Sequence, residues 1–256
     1  MLEAKAYPIL EFDGVSRAKF SPLDVVGKQD VPERMVITFF GDVIQTMLDA
    51  GRLKEIGRFI TATVTLPVYE TEYAGQRLGV VQGYLGAAGA AGQLEELIAM
   101  GFRRFMVCGA AGVLQRGIQV GHLIVPSAAV RDEGASYHYL APSREVACNP
   151  HAVRVLEALL REKGVPFINA KTWTTDAFYR ETEDKIALRV AEGCVTVEME
   201  AAAFFAVAQF RGVTLGQLLF GGDDLSGAVW DTRSWNSREE IRRNVTELSM
   251  EACLRL

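Results

Sequence analysis

Short apolar runs closed by glycine-bearing turns alternate along this chain with longer amphipathic or Ala-rich stretches, the pattern of strands exchanged with helices. Met35 to Phe40 is apolar but for Thr38 and predicts a buried strand, entering Gly41-Asp42, after which Val43 to Ala50 reads as a helix closed by Gly51. Ile60 to Leu66 and Leu78 to Tyr84 predict two more strands, with a turn around Ala74-Gly75 between them. Gly83 to Gly92 opens a helix over Gln93 to Met100, and Arg103 to Gly109 predicts a further buried strand. Asn149-Pro150 reads as a cap and first position for an amphipathic helix from His151 to Lys163, followed by a strand over Pro166 to Ala170. Ser237-Arg238-Glu239-Glu240 has the capping-box pattern and predicts a last helix to about Cys253. Residues 1 to 34, charged and carrying Pro8, Pro22 and Pro32, read as an N-terminal arm, leaving 35 to 256 as one α/β domain.

The stretch from Cys194 to Gly227 organises the rest. Cys-Val-Thr-Val leads into Glu198-Met199-Glu200, two carboxylates on one side of an extended backbone. An Ala-rich helix follows to Phe210 and stops at Arg211-Gly212; a second apolar run, Leu215 to Phe220, ends at Gly221-Gly222-Asp223-Asp224. Open α/β sheets bind ligands beyond the carboxyl ends of their strands, so Glu198, Glu200 and Asp223 are expected at one crevice. The alternative for each acid is helix capping or loop solvation.

Composition narrows the partner. With 256 residues and 49% hydrophobic content the chain supports one large core, and a net charge of -5 offers no footprint for nucleic acid, so a small molecule is expected. No basic leader with an apolar core and no run of roughly 18 apolar residues is present, which predicts a cytoplasmic protein without a membrane partner. Cys108, Cys148, Cys194 and Cys253 form no Cys-x-x-Cys pair, and His122, His138 and His151 lack metal-site spacing; neither disulfides nor a metal is expected.

The Val-Glu-Met-Glu-Ala-Ala segment resembles the signature of the nucleoside phosphorylase family, which includes uridine phosphorylase, hexameric purine nucleoside phosphorylase and related nucleosidases. Ile118 to Tyr139, with its Val-Arg-Asp-Glu-Gly-Ala-Ser-Tyr-His-Tyr loop, resembles the family's fourth strand and loop, and the likeness covers about residues 35 to 256. It implies a single three-layer α/β/α domain around a mixed, partly barrel-like sheet, and a homodimer or homohexamer. It also implies cleavage of a nucleoside's N-glycosidic bond without a cofactor, phosphate being the candidate co-substrate. Residue by residue, it assigns the ribose to Met199 and Glu200, and the base or a water beneath it to Glu198. An aromatic face for the base falls on Phe178, whose alternative fate is core packing. The general acid falls on Asp223, with Asp224 as fallback, and Arg233 is the loop arginine that could pair with the acid.

The phosphate positions depart from that pattern. Gln45 stands where the arginine of a Gly-Asp-Pro-x-Arg turn belongs, and Val107 and Ala110 stand at the arginine and hydroxyl of Arg-x-Gly-Thr-x-Gly. The Gly-rich stretch before Gln93 could present amides to an anion, but it lacks a cationic partner, and close helix packing is the competing reading. Arg131 reads as an ion-pair partner of Asp132 or a nearby acid. The uracil-reading Gln and Arg are replaced by Thr182 and Asp184, which favours a purine.

The chemistry asks for an acid to protonate a departing base and for acceptors on the ribose hydroxyls. With a phosphate dianion short of two arginines and a hydroxyl, water attack as in nucleosidases is an alternative acceptor chemistry. A nucleoside-binding sensor without turnover is a third reading, and a nicotinamide-cofactor fold is disfavoured by the glycine spacing.

Overall fold

The computed structural model describes residues 2–256. After a short turn at Pro8–Leu10 come α1 (Pro22–Val26), β1 (Arg34–Thr38), α2 (Gly41–Asp49), β2 (Lys54–Ile60), β3 (Thr65–Tyr73), β4 (Gln76–Gln82) and α3 (Ala87–Met100). There follow β5 (Arg104–Val113), β6 (Leu123–Asp132), β7 (Glu145–Ala147), α4 (Pro150–Glu162), β8 (Phe167–Thr175), α5 (Glu183–Ala191), β9 (Cys194–Glu198), α6 (Ala201–Arg211), β10 (Thr214–Asp224) and α7 (Glu239–Leu254).

The strands form one mixed sheet in the order β10-β6-β8-β9-β5-β1-β4-β3-β2, and β10 pairs again with β5. That second pairing, parallel from Thr214 opposite Arg104 to Asp224 opposite Val113, closes β10, β6, β8, β9 and β5 into a five-stranded barrel. Strands β1, β4, β3 and β2 extend the sheet from β5 as a wing, and β7 pairs with β6. Helices α3 and α6 cover one face through Leu94, Leu97, Phe204 and Phe205. Helices α2, α4 and α7 cover the other through Met47, Leu156, Leu159 and Met250. The result is the expected single-domain, three-layer α/β/α architecture with a partly barrel-like sheet.

Three sequence expectations shift. The predicted strand Ile60 to Leu66 straddles a hairpin: β2 ends at Ile60 and β3 begins at Thr65, joined by a turn in which Thr61 accepts the amides of Thr63 and Val64 on its hydroxyl. Alternation alone does not reveal that turn, because the loop keeps the β-branched composition of a strand. Helix α3 begins at Ala87 rather than Gln93, so the Gly-Ala run is helical. Gly89 serves packing: a Cβ there would lie 2.0 Å from the Tyr84 ring. The last helix starts at Glu239 with Arg238 at its cap position, so Ser237 does not cap it. No described helix is long and apolar enough to cross a membrane.

The wing depends on close approach at Gly79 in β4, where a Cβ would lie 2.6 Å from Phe102 Cε1 and 2.7 Å from Met35 Cε. Both neighbours are fully buried and cannot retreat. Gly79→Ala is therefore expected to destabilise the fold by about 1–3 kcal/mol through overpacking, read as a lower urea midpoint at unchanged m-value.

Candidate active site

The carboxyl ends of the barrel strands bring together the acids that the sequence spaces widely. Glu198 closes β9, Glu200 stands at the cap position of α6, and Asp223 lies one residue from the end of β10. Phe178 and Glu181 lie in the segment that follows β8. Because the sheet closes on itself, β8 and β10 reach the same mouth from opposite sides of β6.

Glu198 is buried with both oxygens engaged by the protein. Thr174 Oγ1 donates to its Oε1 at 2.6 Å, and the amides of Glu200 and Ala201 donate to its Oε2 at 2.7 and 2.6 Å. Thr174 in turn accepts the Ala202 amide at 2.9 Å, so three residues at the start of α6 are organised around one carboxylate and its Thr174 partner. This is the arrangement of an internal acceptor at a helix N-terminus, the capping alternative of the sequence. Glu200 is equally buried, and its Oε1 accepts the Gly86 amide, at the start of α3, at 2.6 Å. Burial raises both carboxyls, and the charge of Glu198 pushes Glu200 further. With three donors on Glu198, a proton held by the pair sits on Glu200. Met199 lies half-buried in the turn between the two acids.

The acid end is built differently. Asp223 is half-buried, and the indole of Trp230 donates to its Oδ2 at 2.7 Å. Asp224, the fallback acid, is paired with Arg233 and accepts the Ser226 amide at 2.8 Å. Burial pushes the Asp224 carboxyl up, but the Ser226 hydrogen bond and the Arg233 charge outweigh it and hold the group below the usual carboxylate range. A carboxyl so held is a poor proton donor. Arg233 thus partners Asp224 and not Asp223, a correction to the sequence expectation. Its guanidinium also donates to the Ile118 carbonyl at 2.7 Å.

Phe178 is 47% exposed, which removes the core-packing alternative, and its ring lies 4.1 Å from that of Tyr179. Three residues on, Glu181 is half-buried, and burial first and the charge of Asp223 second raise its carboxyl from 4.5 to about 7. Sequence reasoning passed over Glu181 and Trp230, since neither carries a local signal: each matters through what lies across the mouth. Thr182 and Asp184 are exposed at the start of α5.

The three positions expected to have held phosphate do not form a site. Gln45 is exposed on α2 and donates to Asp49 at 2.8 Å, Val107 is fully buried in the core, and Ala110 carries no hydroxyl. Asp42 of the Gly-Asp turn pairs with Arg242 of α7 at 2.9 Å. Arg131 does not pair with Asp132. It is buried and donates to Ser136, Ser143 and the carbonyls of Leu140 and Ala141, fastening the loop after β6. Asp132 instead meets Lys185 and Arg189.

The profile of the family described as the phosphorylase superfamily matches residues 33–255. The chain is 27% identical over 187 residues to the guanosine phosphorylase of Halorubrum lacusprofundi, covering 70% of this chain and 78% of that one. It is 30% identical over 161 residues to the uridine phosphorylase of Thermococcus kodakarensis, covering 57% of each. In three dimensions it resembles the purine nucleoside phosphorylase of Toxoplasma gondii in complex with immucillin-H, with a TM-score of 0.75 at 19% identity, over 88% of this chain and 91% of that one. That last likeness shows the fold.

The raised carboxyl of Glu181 has a consequence for stability. The unfolded chain ionises this group near 4.5 while the folded protein keeps its proton to about 7, so across that window folding loses stability as pH rises. Glu181→Gln is expected to melt with the wild type near about pH 4 and at a higher temperature than it by about pH 8, in thermal scans across that range. Parallel curves at every pH would show that Glu181 is not perturbed.

Proposed function

This chain belongs to the phosphorylase superfamily, and from that premise we propose that it cleaves the N-glycosidic bond of a nucleoside, with a purine favoured. Nucleoside phosphorylase-type activity is what the family and the named relatives support. The finer assignments are our reading. The catalytic body is residues 35 to 256, with residues 1 to 34 as an arm. Asp223 protonates the base as it leaves, Glu200 accepts hydrogen bonds from the ribose hydroxyls with Met199 against the sugar, and Phe178 offers its exposed ring to the base.

The observation that carries this reading is the separation of the two adjacent aspartates into distinct roles. Asp224 is committed to Arg233, whereas Asp223 faces the mouth with a neutral donor on one oxygen. As the base departs it carries negative charge, and a proton from Asp223 neutralises it while the sugar passes through an oxocarbenium-like state.

For the acceptor we favour water over phosphate. A phosphate dianion needs charge-assisted donors, and Gln45, Val107 and Ala110 supply none of them. The amide that opens α3, a natural anion donor, is already used by Glu200. Phosphorolysis is the second reading, favoured by the names of the relatives, and it requires an arginine from another part of the assembly. A homodimer or homohexamer would supply one, and is the assembly we propose to look for.

Two outcomes are expected. Asp223→Asn lowers turnover by about two orders of magnitude or more with an unchanged melting temperature, the effect of losing a general acid; wild-type turnover would remove Asp223 from the mechanism. Incubation with purine and pyrimidine nucleosides, with and without phosphate, should yield free sugar in phosphate-free buffer. Ribose 1-phosphate, with a rate that rises steeply and saturably with phosphate, would overturn the hydrolytic reading.

A further inference from the structure

The loop between β10 and α7 is stapled beside Asp223. The amide of Asp224 donates to the Asp231 carbonyl at 2.8 Å and the amide of Asp231 donates back at 3.1 Å, so the seven residues from Asp224 return to the strand end. Arg233 fastens the far side through Asp224 and the Ile118 carbonyl. It does so with a positive φ of 47°, followed by Ser234 at 49°, a conformation uncommon for residues other than glycine. This staple suspends Trp230 over the mouth, 60% exposed yet with its indole N–H 2.7 Å from Asp223 Oδ2.

We propose that Trp230 is the positioning residue for Asp223, its neutral indole N–H holding one carboxyl oxygen so that the other faces the base. This rests on the reading of Asp223 as the general acid. Oδ1 takes no hydrogen bond from any described residue and lies over Gly112 of β5, where a Cβ would stand 3.6 Å away. The same Cβ would meet Leu225 Cδ1 at 2.6 Å and Val197 Cγ1 at 3.0 Å, so only a glycine fits beneath the carboxyl. The charged groups facing Asp223 are Glu181, from the segment after β8, and the Asp224–Arg233 pair on its own loop.

The choice of donor matters. A guanidinium would orient the acid but also stabilise its ionised form, drawing the proton away from the state that catalysis needs. An indole donates and carries no charge. Because Arg233 is committed to Asp224, the indole orients the acid without bringing a cation onto it.

The test is a double-variant cycle in kcat and KM. Trp230→Phe, which keeps an aromatic ring and removes the N–H, is expected to lower kcat about tenfold, the scale of one charge-assisted hydrogen bond, and to change KM by less than about threefold. In the Asp223→Asn background the same substitution should cost less than about twofold, because the carboxylate it acts through is gone. Unchanged kcat in Trp230→Phe, or an equal loss in both backgrounds, would overturn the proposal. Wild-type turnover in Asp223→Asn alone would sink the reading of the acid first. Where turnover of Asp223→Asn is too low to follow, tryptophan emission decides. Asp223→Asn should alter it in otherwise wild-type protein but not in Trp230→Phe, and an equal change in both would refute the contact.

Discussion

Two helix N-termini in this protein are satisfied by carboxylates of its own chain. Glu198 takes the first amides of α6 and Glu200 takes the amide at the start of α3. A buried carboxylate is costly to desolvate, and the cost is offset only where charged hydrogen bonds replace water on its oxygens. Glu198 meets that condition on both oxygens. The junction of β8 with β9, the start of α6 and the approach of α3 all pass through these two side chains, so the acids are part of the frame before they are part of any reaction.

That frame has a chemical consequence. Helix N-termini are ready sites for phosphate, and here the start of α6 and the amide that precedes α3 already meet carboxyl groups of the protein. The mouth is therefore rich in carboxyl groups, and three arginines are engaged within the protein: Arg131 fastens a loop, Arg233 holds Asp224, and Arg242 holds Asp42. Such surroundings suit a sugar that develops positive charge and a base that must be protonated.

The sequence made some of this legible and not the rest. The acids at strand ends, the helix stop at Gly212 and most strands follow from apolar periodicity and turn residues, which are local properties. The Glu198 capping role was foreseeable only as an alternative, because the spacing of two acids before a helix is the same whether they bind a ligand or cap the helix. Arg233 was paired with the wrong aspartate, since Asp223 and Asp224 are adjacent in the chain but their side chains leave an extended strand on opposite sides.

By itself the sequence determined the α/β alternation, the resemblance to nucleoside phosphorylases, the absence of the expected phosphate ligands at Gln45, Val107 and Ala110, and the presence of an acid at residue 223. Only the tertiary structure decided that β10 returns to β5 and closes the barrel, that Glu181 and Trp230 flank Asp223, and that Asp224 is neutralised by Arg233. The physical reason is one of range. Hydrophobic period and turn chemistry act over a few residues, whereas the environment of a carboxyl is set by groups that come near it only when strands distant in the chain meet at one mouth.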